Sequence, residues 1–202
     1  MSLVFIEGVS GVGKTTTATL LHDKLCAIGY EVNCYLEGAS YNPLDPFDGG
    51  FPPSMLLSSF SEIYLQRWQD FAQNKADSIL ILDGTFFHHQ INDLLHFYNA
   101  SDEVVTNHLS KLACVIQPFK PIIFYLTSED VAQRLRQARD SRKQSIATDE
   151  KIAFWENRKR VDLHVLKNLS IEAHILNVDD GWDTVVETMA KYIRRQRCQQ
   201  KK

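Results

Sequence analysis

The 202-residue sequence lacks several features that would each point to another class of protein. Its four cysteines form no Cys-x-x-Cys pair, and no Cys/His spacing is typical of a zinc site. No apolar run is long enough to span a bilayer, and no basic segment followed by an apolar core opens the sequence. The formal net charge of −3 gives no global attraction to nucleic acid or to an anionic membrane.

These absences favour a cytoplasmic protein with reduced, mostly buried thiols, and they argue against nucleic acid or membrane as partners. An apolar content of 44% and a charged content of 23% are ordinary for a globular domain. We therefore expect one domain over residues 1–202, without internal repeats or linkers. The sequence leaves the oligomeric state open, with a homodimer among the states it allows.

A phosphate-binding pattern near the start of the chain is the most specific feature present. Residues 8–15 fit Gly-x-x-x-x-Gly-Lys-Thr, the pattern of a P-loop, and lie between an apolar strand and a helix. Glycines let backbone N–H groups approach phosphate oxygens, and the N-terminus of the next helix faces the same anions. This context disfavours the alternative, a glycine-rich turn that binds nothing. The residues expected to bind ATP are Gly8, Ser10, Gly11, Val12, Gly13, Lys14, Thr15 and Thr16.

Apolar runs alternate with helical periodicity along the rest of the chain. This alternation predicts an α/β fold of three layers, in which a parallel sheet of order 2-3-1-4-5 carries helices on both faces. The polar residues after Arg194 are expected to be frayed. The five predicted strands are Leu3–Glu7, Glu31–Leu36, Ser78–Asp83, Pro121–Leu126 and Ile171–Val178.

Two acids follow strands of this predicted sheet. Glu37 comes after the second strand, and ligands of open α/β sheets gather outside such strand ends. Asp83 ends the third strand, as in a Walker B segment, where an acid helps to hold Mg²⁺ beside the P-loop hydroxyl. We therefore predict that Thr15 and Asp83 place Mg²⁺, while Lys14 contacts the β- and γ-phosphates.

The segments beside these acids leave alternatives open. The loop at about 38–53 is rich in Pro and Gly, and Tyr41 and Asn42 either contact a substrate or only shape the loop. Aromatic residues of the predicted helix 54–76 form either core or a base-stacking platform. His88 and His89 are interpreted as surface or loop histidines, with substrate contact as the lesser alternative.

A second basic region, at about 134–160, is predicted to form a lid over the triphosphate. Its candidate phosphate ligands are Arg134, Arg139 and Arg142. Arg134 and Arg142 share a face if one helix continues through both of them. The alternative is a solvated, charged helix face without a ligand.

The order of these features resembles the nucleoside and nucleotide monophosphate kinase branch of P-loop proteins, which includes thymidylate kinases and deoxynucleoside kinases. Two stretches are similar to bacterial P-loop proteins described as thymidylate-kinase-like: Tyr35-Leu36-Glu37-Gly38 and Ile91-Asn92-Asp93-Leu94-Leu95. The resemblance implies that Glu37 acts as general base toward a substrate hydroxyl. Asp83-Gly84-Thr85 departs from the family, because both groups of kinases carry an arginine directly after this acid.

The leading hypothesis is an ATP- and Mg²⁺-dependent phosphotransferase whose small acceptor is a nucleoside or nucleotide. A nucleotide-binding regulatory NTPase without a small-molecule acceptor is the main alternative. A degenerate scaffold that binds nucleotide without turnover is disfavoured, because Lys14, Thr15 and Asp83 are all present.

Overall fold

A five-stranded parallel sheet forms the centre of the computed structural model, which describes residues 1–38, 42–47, 54–73, 78–145 and 147–200. The strands lie in the order β2-β3-β1-β4-β5, which confirms the order expected from the sequence. All four strand pairs are parallel, the pair with the last strand included. The strands are β1 (Ser2–Glu7), β2 (Val32–Tyr35), β3 (Ile79–Asp83), β4 (Ile122–Thr127) and β5 (Glu172–Asn177).

Seven helices connect or flank these strands in the described part of the chain, and two short 3-10 helices precede β4 and the last helix. The side chains of Ser101, Asp130 and Thr148 cap the N-termini of α4, α5 and α6 by each accepting a backbone N–H. The helices are α1 (Lys14–Ala27), α2 (Leu57–Ala72), α3 (His88–Tyr98), α4 (Asp102–Ile116), α5 (Val131–Ser141), α6 (Asp149–Asn168) and α7 (Trp182–Gln200).

Every residue of β1 is buried, because this central strand is covered on both faces. Leu3 and Phe5 pack on one side with α2, α3, α4 and the C-terminal half of α6. Val4 and Ile6 point to the opposite side and pack with α1, α5 and α7. The two-residue repeat of a strand thus creates two separate cores and the predicted three layers.

The register of the strands sets where the functional residues meet. Ile6 of β1 pairs with Asp83 of β3, and Tyr35 of β2 pairs with Leu82. Since all strands run parallel, the P-loop, Glu37 and Asp83 leave the sheet at the same edge. Ligand sites of open α/β sheets lie at this carboxyl edge.

The structure departs from what the sequence suggested at three points. The α7 helix continues through the tail to Gln200, and its apolar residues as far as Ile193 pack beside α1 and β4. The α5 helix ends at Ser141, so Arg142 follows the helix and does not share a continuous face with Arg134. Cys26, Cys114 and Cys198 are exposed and only Cys34 is half-buried, whereas mostly buried thiols were expected. Among the described residues, no helix has the length and apolarity to cross a bilayer.

Candidate active site

The P-loop bends tightly from β1 into α1. Gly13 precedes the helix with φ of +89°, a left-handed conformation that favours glycine. Among the residues that the structure describes, no side chain caps the N-terminus of α1, although Ser101, Asp130 and Thr148 cap other helices. The first N–H groups of α1 therefore face the loop without an internal side-chain acceptor, an arrangement suited to phosphate oxygens.

Trp182 packs directly on the P-loop, a contact that sequence reasoning missed. A Cβ built on Gly13 would lie 2.1 Å from Cη2 of this indole. Trp182 begins α7, more than 160 residues away in the chain, so no local pattern announces the contact. Gly13 is thus required both by its backbone conformation and by the indole ring that occupies the space of a side chain.

Thr15 and Asp83 meet as expected for a Walker A and Walker B pair. The Thr15 hydroxyl donates a hydrogen bond of 2.6 Å to Asp83 Oδ2, and the backbone N–H of Glu37 donates to the same oxygen at 3.1 Å. Asp83 Oδ1 is buried and has no hydrogen-bond partner among the described residues. Burial raises the pKa of Asp83, while the Thr15 hydroxyl and Lys14 act against that rise.

A buried carboxylate oxygen without a partner beside a hydroxyl fits Mg²⁺, which prefers hard oxygen ligands. No group of three or more His, Cys, Asp or Glu side chains in the described ranges is arranged to hold a metal by itself. This agrees with the way Mg²⁺ binds in P-loop enzymes, where one or two protein oxygens act together with substrate phosphates.

Glu37 places its carboxylate directly on the P-loop lysine. Its Oε2 lies 3.3 Å from Lys14 Nζ, and its Oε1 lies 3.2 Å from His88 Nε2. Lys14 is buried and also donates to the carbonyl of Val9. The structure thereby brings Lys14, Thr15, Glu37 and Asp83 together at one edge of the sheet.

His88 completes this cluster, and its interpretation as a surface or loop histidine is wrong. Only 8% of the residue is exposed, and its Nδ1 lies 3.4 Å from Lys14 Nζ. Burial lowers its pKa well below the usual value, and the positive charges of Lys14, Arg158 and His89 lower it further. Its position five residues after Asp83, at the start of α3, was the only sequence signal that His88 belongs to this cluster.

A buried ion pair on α6 lies behind His88. Arg158 and Asp162 are both fully buried, and Arg158 Nε donates to Asp162 Oδ1 at 2.6 Å. Tyr125 donates to the second oxygen of Asp162, and Arg158 also donates to the carbonyl of His88 at 3.2 Å. Arg158 lies within the predicted lid, but here it is part of the core.

Glu7, the last residue of β1, is a second buried acid that the sequence did not single out. Its Oε1 accepts the backbone N–H of Phe86 at 2.6 Å, while its Oε2 is buried and has no hydrogen-bond partner in the part of the chain that the structure describes. Burial raises the pKa of Glu7 to about 8, although the Phe86 N–H and Lys14 oppose the rise. This carboxyl is therefore mostly protonated at neutral pH.

The three candidate lid arginines take different positions. Arg134 pairs with Asp179, whose pKa falls to about 2 mainly through that hydrogen bond. Arg139 donates to the backbone carbonyl and hydroxyl of Ser145. A cavity of about 390 Å³ opens between the P-loop and the α5–α6 turn. It is lined by Ser10, Leu135, Ala138, Arg139, Arg142, Gln144, Lys151 and Trp155.

The described part of the loop after β2 braces the site. Asn42 donates to the Thr85 hydroxyl at 2.8 Å and accepts from the Leu44 N–H, so it shapes the loop. Tyr41 lies outside the described residues. Phe60, Tyr64 and Trp68 of α2 are buried in the core, which supports the core interpretation over a base-stacking platform.

No protein-family model and no curated protein sequence matches this chain. Solved structures do match it. One is the YorR protein of Bacillus subtilis in complex with phosphorylated GDP, with 13% identity and a TM-score of 0.56 over 97% of this chain and 98% of that one. Another is thymidylate kinase from Ehrlichia chaffeensis, with 14% identity and a TM-score of 0.56 over 96% and 98%. The chain thus has the thymidylate-kinase-like P-loop fold over nearly its whole length.

Proposed function

We propose that this protein is an ATP- and Mg²⁺-dependent phosphotransferase with a small acceptor, a nucleoside or nucleotide. The observation that carries the proposal is the contact between the carboxylate of Glu37 and the ammonium of the P-loop lysine, Lys14, over 3.3 Å. Such a carboxylate beside the phosphate site supplies a proton acceptor for a hydroxyl nucleophile, which a simple nucleotide-binding scaffold does not need.

The donor triphosphate would bind along the P-loop. Its β- and γ-phosphates would accept hydrogen bonds from the uncapped N-terminal N–H groups of α1 and from the Lys14 ammonium. In the structure Lys14 contacts the Glu37 carboxylate, so on phosphate binding Lys14 would exchange that carboxylate for phosphate oxygens as its anionic partner.

Thr15 and Asp83 would hold the magnesium ion, consistent with the unpartnered oxygen of Asp83. Bound Mg²⁺ neutralises charge on the phosphate oxygens. The protein's own contribution is to keep the hydroxyl and the carboxylate adjacent, which the backbone N–H of Glu37 supports by its hydrogen bond to Asp83.

Glu37 would accept the proton of the acceptor hydroxyl. The hydroxyl oxygen forms the new bond to the γ-phosphorus, and the bond from that phosphorus to the β–γ bridging oxygen breaks, releasing ADP. The charge that spreads over the transferring group would be met by Lys14 and by the cavity cations Arg139, Arg142 and Lys151. Positioning and electrostatics supply most of the rate enhancement in such reactions.

The acceptor class rests on the comparisons, whose printed names mention GDP and thymidylate. A direct test measures ATP consumption with a panel of nucleosides, nucleoside monophosphates and other alcohols. Turnover that rises with one acceptor, together with a phosphorylated product, supports the proposal. Slow hydrolysis that is indifferent to the whole panel contradicts it and favours the regulatory NTPase.

Replacement of the proposed base sharpens this test. Glu37→Gln keeps the shape of the side chain but removes the proton acceptor, so we expect acceptor-dependent turnover to fall about 10²-fold or more while ATP still binds. Glu62→Gln, a change at an exposed glutamate of α2, is the matched control and should leave turnover unchanged. Loss of ATP binding in the Glu37 variant would show that the role assigned to this carboxylate is wrong.

A further inference from the structure

His88 lies between the two charged groups of the proposed reaction. Its Nδ1 is 3.4 Å from Lys14 Nζ, and its Nε2 is 3.2 Å from Glu37 Oε1. Glu37 Oε2 in turn lies 3.3 Å from the same ammonium. The three side chains therefore form a closed triangle, although they come from the P-loop, the end of β2 and the start of α3.

The chemistry of the neighbours assigns the proton on this imidazole. A lysine ammonium only donates, so Nδ1 must offer its lone pair to Lys14. A neutral ring then carries its hydrogen on Nε2, which faces the Glu37 carboxylate. Burial and the charges of Lys14, Arg158 and His89 lower the His88 pKa, which agrees with a neutral ring, while a backbone hydrogen bond with Gly8 acts in the opposite direction.

The core fixes the plane and position of the ring. Trp155 of α6 stacks on His88 with the ring centroids 5.3 Å apart and the planes 16° from parallel. The His88 carbonyl accepts a hydrogen bond from Arg158, which is itself paired with Asp162 in the core. His88 is therefore held from α6 independently of Lys14 and Glu37.

Gly84 explains why the triangle fits. A Cβ at Gly84 would lie 3.2 Å from Glu37 Oε2 and from His88 Cβ, and 3.3 Å from Lys14 Cε. The residue also has φ of +66°, a conformation that L side chains rarely adopt. A larger residue after Asp83 would press on all three members of the triangle.

We propose that His88 is a positioning residue for Glu37, a proposal that rests on the phosphotransferase function above. In the structure the Lys14 ammonium lies beside Glu37 Oε2. When the phosphates draw Lys14 away, the Nε2–H of His88 keeps hold of Oε1, and Oε2 becomes free to take the acceptor's proton. Within the described residues, Glu37 has two side-chain contacts, the Lys14 ammonium and the His88 Nε2–H. Without His88, departure of Lys14 would leave the carboxylate with neither of them.

Three substitutions separate the contacts of the ring. His88→Phe keeps an aromatic ring to stack on Trp155 but removes both nitrogens, and we expect kcat to fall about 10- to 100-fold, while KM for ATP changes less than about threefold. In His88→Gln the amide N–H reaches toward the place of Nε2 and should restore much of kcat. The shorter His88→Asn places its amide near Nδ1 and should not. His96→Gln, on the exposed side of α3, is the control and should match the unchanged protein.

Nitrogen-15 NMR of the histidine side chains tests the assigned state without any turnover. Comparison with His88→Gln identifies the His88 signals, and a neutral ring protonated at Nε2 is expected in the nucleotide-free protein at pH 7. A ring protonated at Nδ1, or at both nitrogens, would overturn the proposal, as would rescue of kcat by His88→Asn and not by His88→Gln. If no acceptor supports turnover, the proposed function fails, and the NMR result still decides the state of His88.

Discussion

The hydroxyl of Thr15 donates to the carboxylate of Asp83 over 2.6 Å, joining the P-loop to the end of β3. The two residues are 68 positions apart in the sequence, and the parallel pairing of β1 with β3 brings them together. The other oxygen of Asp83 is buried and meets no hydrogen-bond partner within the described ranges, an arrangement that costs stability unless a ligand satisfies it. This pair is therefore the most direct place to test the proposed metal site.

Asp83→Asn should separate metal dependence from folding. The amide keeps the size of the side chain but removes the charge that attracts Mg²⁺, so we expect kcat to fall about 10²-fold or more and the stimulation by Mg²⁺ to be lost. Because burial raises the Asp83 pKa, the ionised carboxylate is unfavourable in the metal-free fold. Denaturant unfolding without Mg²⁺ should show the variant as stable as the unchanged protein or more so. Full Mg²⁺-stimulated activity in this variant would exclude Asp83 as a ligand.

Arg142→Ala tests the basic cavity beside the P-loop. Arg142 lines this cavity together with Ser10, and we expect its loss to lower kcat/KM for ATP about tenfold or more, because a cation near the transferring phosphoryl group is removed. Arg136, exposed on α5, does not line the cavity, so Arg136→Ala is the control and should change kcat/KM less than twofold. Equal effects of the two variants would contradict the lid and favour the alternative, a solvated, charged helix face without a ligand.

Glu7 should make stability depend on pH in a definite direction. Its folded-state pKa of about 8 lies above the value of about 4.3 for an unperturbed glutamate, so the folded state keeps a proton that the unfolded state has lost. The free energy of unfolding should therefore decrease as pH rises from about 4.5 to 8, by at most about 1.4 kcal/mol per pH unit from this group.

Glu7→Gln provides the measurement, because its neutral amide cannot titrate. Urea unfolding at pH 5, 6, 7 and 8 should show the variant gaining stability relative to the unchanged protein as pH rises. The backbone N–H of Phe86 still finds an amide oxygen in the variant, so the hydrogen bond to Oε1 is kept. A pH-independent difference between the two proteins would mean that Glu7 does not retain its proton in the folded state.

The buried pair of Arg158 and Asp162 should be a strong determinant of stability. Arg158→Met leaves Asp162 buried with the Tyr125 hydroxyl as its one hydrogen-bond partner among the described residues, and removal of one member of a buried ion pair costs about 3–5 kcal/mol. The control is Arg160→Met on the same helix, whose ion pair with Asp102 is exposed and should contribute less than about 1 kcal/mol. Chemical unfolding of both variants measures the difference. A similar loss in each would contradict the structural role of Arg158.

Local sequence patterns determined much of the fold. The alternation of apolar strands with periodic helices predicted the sheet, its order and its three layers, because a central strand that is covered on both faces is apolar along most of its length. The same patterns placed the P-loop, Glu37 and Asp83 after neighbouring strands. Helix ends were less well determined, as the early end of α5 and the long α7 show.

Contacts between distant segments were decided only by the tertiary structure. His88 is a polar residue at the start of a helix, and nothing local distinguishes it from an exposed histidine until Trp155 and Arg158 of α6 pack against it. Arg158 lies in a basic stretch whose sequence predicts a solvated surface. The burial of Arg158 is possible because Asp162, one turn later, pairs with it. The sequence by itself thus determined the fold and the phosphate loop through short-range periodicity and one motif. Which charged groups contact each other at the site depended on contacts between residues about 70 positions apart in the chain. No local pattern encodes such contacts.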